Sequence, residues 1–220
     1  MDSAKTFRWA AAALTAPVLL AACGDNTAGP GATTTALATT TTALPAADAK
    51  TTLKSADGAT AGVVTFSVGR TGTVVDVQLM ASKDVKPSSF HGIHVHANDD
   101  PANGEGCKAD PAMPASTWFT AVDGHLKEGT ATHKDHTGDL PSVLVGKDGT
   151  ASLRFTTDRL TPSDVAGKAV VVHAGADNFG NVPVGTGPDQ YTPNAGGAST
   201  KTEATGNAGD RMLCGVIAKT

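Results

Sequence analysis

The sequence predicts an all-β domain, on three observations. Short Val-rich runs recur after about residue 50, clusters of Gly, Asp and Pro separate them, and apolar and polar residues alternate within them. Alternation means strands, because side chains on an extended chain point to opposite faces in turn. Thr51 to Lys54 reads as a short first strand, turned by Ser55-Ala56-Asp57-Gly58. Val64, Phe66 and Val68 alternate with Val63, Thr65 and Ser67, and Val75, Val77 and Leu79 alternate with Asp76, Gln78 and Met80. Each run is a strand with one buried face. Phe90-His91-Gly92-Ile93-His94-Val95-His96 is the next strand. Ser142 to Val145 and Thr150 to Thr156 flank Gly146-Lys147-Asp148-Gly149, and Asp-Gly in such a turn predicts a hairpin. Lys168 to His173 is a further strand, and Met212 to Ala218 closes the sheet. Two long stretches, 97–141 and 174–210, show no sustained period. Irregular segments of that length need something to pin them in a compact domain.

A chain of 220 residues suits one well-cored domain with appendages. Its formal net charge of -4, with no Lys/Arg run to neutralise phosphates, argues against nucleic acid as a partner.

The N-terminus reads as an address. Lys5 and Arg8 precede an apolar stretch from Trp9 to Ala22 that is too short to span a bilayer comfortably, so residues 1–22 read as an export signal. Leu20-Ala21-Ala22-Cys23 resembles the bacterial lipobox, which implies a lipid on Cys23, cleavage before it, and anchoring on the extracytoplasmic face of the cell membrane. Loss of Asp2, Lys5 and Arg8 would move the net charge from -4 to -5. The rest of residues 23–50 is mostly Thr, Ala, Pro and Gly with no hydrophobic period, a composition that cannot bury enough to fold, and it reads as a flexible linker. Residues 51–220 are the β-domain.

With Cys23 assigned to lipid, Cys107 and Cys214 remain, an even number in an exported chain. Their pairing would tie the first long stretch to the last strand and contribute roughly 4 kcal/mol by closing a long loop.

The histidines carry the chemistry. His94 and His96 stand two apart on a strand and so share a face, where imidazole nitrogens suit copper or zinc. His125, His133, His136 and Asp139 lie within one stretch and suit a closed tetrahedral zinc site. His173, on a strand, joins His94 and His96 in a second cluster with an open position. Against this stands the plain reading of surface histidines without metal.

His91-Gly92-Ile93-His94-Val95-His96, Gly124-His125-Leu126, His136-Thr137-Gly138-Asp139-Leu140, Val172-His173 and Gly206-Asn207-Ala208-Gly209-Asp210-Arg211-Met212-Leu213-Cys214-Gly215 together resemble the Cu/Zn superoxide dismutase family, over about 49–218. The resemblance implies a Greek-key β-sandwich or flattened barrel of about eight antiparallel strands with two long functional loops. It implies copper on His94, His96, His125 and His173, and zinc on His125, His133, His136 and Asp139, with His125 shared. Asp177 would link His94 to His133. Arg211 would stand beside the open copper position and guide an anion, and His91 would bond to backbone. His125 and Arg211 are the catalytic candidates, and superoxide is the substrate, converted to dioxygen and hydrogen peroxide by copper redox cycling. His133 and His136 stand closer together than in the family at large. The stretch 178–210 is longer than in eukaryotic members. A second copy of the chain is a candidate partner. The competing reading is a non-catalytic copper- and zinc-binding surface module, which would have no need of Arg211.

Overall fold

Alternation survives folding. The computed structural model describes residues 46–104, 106–179 and 204–220; the export signal, Cys23 and most of the linker lie outside the described residues. β1 (Ala49–Lys54) buries Ala49, Thr51 and Leu53 and exposes the residues between them. β2 (Thr60–Val68) and β3 (Thr73–Leu79) bury Val64 and Phe66, and Val75, Val77 and Leu79. Val68 departs from the expected face, since it closes β2 beyond the core and is 66% exposed.

The strand with the paired histidines is interrupted at Gly92, giving β4 (Ser89–His91) and β5 (Ile93–His96). A Cβ at Gly92 would stand 2.9 Å from the Ala208 Cβ and 3.2 Å from Cε1 of His94, so only glycine lets the chain pass here. β4 pairs with β6 (Val143–Val145), β5 with β8 (Ala169–His173), and β8 with β9 (Arg211–Val216). β9 meets β1 at the single pair Cys214 and Lys54. From β1 the order runs to β2, β3 and β7 (Ala151–Thr157), while the short β10 (Ala218–Lys219) pairs beside β1. All pairings are antiparallel. The strands thus follow one another as β6, β4/β5, β8, β9, β1, β2, β3 and β7 around a shared core that includes Leu53, Val64, Phe66, Ile93, Val95, Val145 and Leu213.

The expected hairpin is only half right. Its turn forms, with Gly149 at φ +80° and Gly146 N–H bonded to the Thr150 carbonyl at 2.8 Å. Its strands, however, form ladders with other partners, β6 with β4 and β7 with β3. β6 and β7 are the two ends of the strand order, and the turn joins them across the closure. A short helix, α1 (Pro162–Val165), was not expected; Thr161 and Asp164 cap it reciprocally.

The stretch 97–141 is pinned along β5. Val95 N–H bonds to Gly138 O at 2.9 Å, Leu126 N–H to Val95 O at 2.8 Å, and Ala97 N–H to Gly124 O at 2.9 Å. A Cβ on Gly138 would overlap the Val95 carbonyl, which accounts for glycine beside Asp139. Farther out, Cys107 and Cys214 form the expected disulfide with Cα atoms 5.5 Å apart. Cys214 packs in a second apolar cluster with Phe119, Val122 and Val171, and Cys107 lies against it.

Candidate metal centre

His94 and His96 share a face of β5 while Ile93 and Val95 fill the core on the other, and all four are fully buried. The histidine face is covered because the 97–141 stretch folds back over it, with bridges between His94 and Asp139 and between His96 and His125. β8 runs on the other side of β5, and a register shift after Val172 sets His173 opposite Arg211. A bulge of this kind re-aims side chains at a strand end.

Six histidines therefore meet. One tight group is His94, His96, His125 and His173, with Nε2 of His96 and Nε2 of His173 3.4 Å apart. A second is His94, His125, His133 and Asp139. His136 is not in that second set, yet its Nδ1 lies 3.3 Å from His125 Nδ1 and 3.4 Å from Asp139 Oδ1. Asp139 Oδ1 is also 2.8 Å from His125 Nδ1 and 3.2 Å from His133 Nδ1. Between His133 and His136, Lys134 has a φ of +70° and turns the chain sharply.

Outer bonds fix the rings. Asp177 accepts from His94 Nε2 at 2.6 Å and from His133 Nε2 at 2.8 Å, one oxygen to each. His96 Nδ1 donates to Asp123 O at 2.8 Å, His173 Nδ1 to Gly209 O at 2.9 Å, and His136 Nε2 to Ala131 O at 3.1 Å. These bonds occupy one nitrogen of each ring and leave the other facing the cluster, the arrangement that orients metal-binding imidazoles. His91 stands outside: its Nδ1 bonds to the His173 carbonyl at 2.7 Å.

The residues fit metal. His94 Nδ1, His125 Nε2 and His133 Nδ1 are buried without a hydrogen-bond partner, a loss of about 1–3 kcal/mol for each such group unless something else satisfies it. Burial pushes His96 and His173 well below the usual imidazole range, and it takes His125 down to about 3 against the pull of Asp139. Burial opposes a proton on His133 too, but the carboxylates of Asp139 and Asp177 outweigh it and raise that ring to about 9. Burial also works against ionised Asp139 and Asp177, yet their histidine partners hold both below the ordinary carboxylate range. Burial thus keeps His96, His125, His136 and His173 neutral, with lone pairs to donate, while two carboxylates favour positive charge at His133.

A family model for copper/zinc superoxide dismutase (SODC) matches residues 60–217. The chain belongs to the copper/zinc superoxide dismutase family. It is 34% identical over 175 residues to the superoxide dismutase [Cu-Zn] of Mycolicibacterium paratuberculosis, covering 75% of this chain and 71% of that one. Against the protein of the same description from Deinococcus radiodurans it is 31% identical over 173 residues, covering 73% and 78%. Its fold is similar to that of the Cu/Zn superoxide dismutase from Brucella abortus, with a TM-score of 0.55, 24% identity, and coverage of 76% of this chain and 97% of that one. As a family member the chain is an oxidoreductase converting superoxide to dioxygen and hydrogen peroxide, with copper and zinc as cofactors. The disulfide accords with an enzyme that works outside the cytoplasm.

Arg211, opposite His173, donates from Nη1 to Phe119 O at 2.5 Å and from Nη2 to Asp123 O at 2.6 Å. Sequence reasoning missed Asp123. Its part in the site is played by a backbone carbonyl, which no side-chain pattern announces.

Proposed function

We propose that His94, His96, His125 and His173 hold copper, that His125, His133, His136 and Asp139 hold zinc, and that His125 is shared. The observation that carries this is the division of His125: Nδ1 faces Asp139, His133 and His136, while the unpartnered Nε2 is left for the other group. His136 is the better fourth zinc ligand than His94, because His94 has only Nδ1 free once Nε2 is bonded to Asp177, and Nδ1 is needed for copper.

Bound copper supplies the one-electron redox chemistry of the two half-reactions, and zinc a fixed charge that orients its ligands. His125 can hold a proton at Nε2 whenever that nitrogen is free of metal, and pass it on as peroxide forms. Asp177 keeps the rings of His94 and His133 in register with each other. Arg211, fixed by two carbonyls, attracts and orients the superoxide anion beside the open position. Metal analysis of the purified chain joined to a superoxide-decay assay tests this reading, with one copper and one zinc per active chain expected; activity in metal-stripped protein would refute it.

We extend the proposal to the cell. Among the described residues no helix is long and apolar enough to cross a membrane. The Leu20-Ala21-Ala22-Cys23 motif supports attachment through a lipid on Cys23 after loss of residues 1–22, with the residues between Cys23 and β1 as tether. A mature N-terminus at unmodified cysteine, or at another residue, would refute it by mass spectrometry. A second copy remains the candidate partner, and Phe90 and Leu144, cross-strand neighbours 52% and 55% exposed, are an apolar pair that it could cover.

A further inference from the structure

Asp123 adopts φ 63° and ψ −156°, a region of backbone space that glycine enters freely and other residues rarely do. Its carbonyl accepts two hydrogen bonds, from His96 Nδ1 at 2.8 Å and from Arg211 Nη2 at 2.6 Å. One oxygen therefore fixes which nitrogen of His96 faces the cluster and, together with the Phe119 carbonyl, where the guanidinium rests. The side chain of the same residue is also engaged. Its Oδ2 accepts from the backbone N–H of Asp99 at 2.8 Å and of Asp100 at 2.9 Å, and its Oδ1 from Asn103 Nδ2 at 2.8 Å. These donors follow directly on β5, and their segment is itself moored. Asn98 N–H bonds to Val122 O at 3.0 Å, Asn98 Nδ2 to Gly167 O at 2.7 Å, and Lys168 pairs with Asp99 at 2.7 Å.

We propose that the Asp123 carboxylate is a latch: by gripping residues 99–103 it keeps its own backbone in an unfavourable conformation, and so sets the carbonyl that positions Arg211 for superoxide. Asp123 is a positioning residue and touches neither substrate nor metal. A carboxylate is suited to the task because it accepts from all three donors at once, whereas an amide gives up one acceptor oxygen. The inference rests on the role given to Arg211 above.

The test compares Asp123→Ala and Asp123→Asn in the metal-loaded full chain, each alone and with Arg211→Ala. Superoxide decay, copper and zinc content, and azide binding to the copper(II) protein by absorbance titration are measured. Asp123→Ala should slow dismutation about tenfold and weaken azide binding in step, with metal content unchanged, and it should cost less than about twofold once Arg211 is absent. Asp123→Asn should fall between. Equal losses in both backgrounds, unchanged azide affinity, or copper lost in proportion to activity would each overturn the latch. Full activity in Arg211→Ala would overturn the guiding role of Arg211 and the latch with it; an impaired Arg211→Ala beside an unimpaired Asp123→Ala overturns the latch alone. Should Asp123→Ala fail to fold, Asn103→Ala removes one grip from an exposed residue and should weaken azide binding about twofold, only while Arg211 is present; no change would count against the latch.

Discussion

Gly206 and Asp177 pack so closely that no methyl group fits between them: a Cβ on Gly206 would overlap both Oδ1 of Asp177 and Nε2 of His133. Gly206 also has φ +61°, and its carbonyl accepts from Asn178 N–H at 3.0 Å. The turn leading into β9 therefore presses on the carboxylate that ties His94 to His133.

Gly206→Ala is expected to destabilise the protein by about 1–3 kcal/mol through backbone strain alone. It should also displace Asp177 and loosen the ring of His133. Thermal melts with and without a chelator, with zinc measured after dialysis, check this. Retained zinc in a destabilised variant would show that the strain stops at the backbone.

The candidate ligands were legible because strand periodicity and short spacing are local. The single residue between His94 and His96 fixes their common face whatever the rest of the chain does. Cysteine parity did the same for Cys107 and Cys214. The partners of β6 were not legible, since the Gly146–Gly149 turn reports only that the chain reverses and not which neighbours the flanking strands find. α1 did leave a signal in Thr161-Pro162-Ser163-Asp164, a capping pattern with proline at the first helical position. The grip of Asp123 on residues 99–103 left none, because it depends on a tertiary approach across about twenty residues of sequence.

Arg211→Glu should reduce dismutation by at least about tenfold, because an anion would then meet a like charge at the open position. Metal content should not change, since Arg211 bonds only to the carbonyls of Phe119 and Asp123 among the described residues. Added salt should slow the wild type and relieve the variant, as screening weakens attraction in one and repulsion in the other. Stopped-flow rates over a range of ionic strength decide it, and identical salt profiles would remove Arg211 from the steering.

Stability of the metal-free protein should peak near neutral pH. Burial lowers His96, His125, His136 and His173, so the unfolded chain binds protons near 6.5 that the folded chain refuses, and their stabilisation is lost as pH falls below that value. Asp139 and Asp177, held below the ordinary range, add to the loss on the acid side below about 4. His133 acts in the opposite sense: raised to about 9, its contribution is full below about 6.5 and disappears as pH climbs through 9. Urea midpoints of the stripped protein should fall steeply toward acid and gently toward alkali. A midpoint rising steadily from pH 7 to pH 5 would contradict the burial of neutral imidazoles.

The arrangement as a whole turns on His125 serving two ions through its two nitrogens. Anomalous diffraction from crystals of the metal-loaded chain, collected at the copper and zinc absorption edges, addresses that directly. The expected maps show copper on the Nε2 side with His94, His96 and His173, and zinc on the Nδ1 side with His133, His136 and Asp139. A single ion, or zinc held by His94 with His136 turned away, would contradict it.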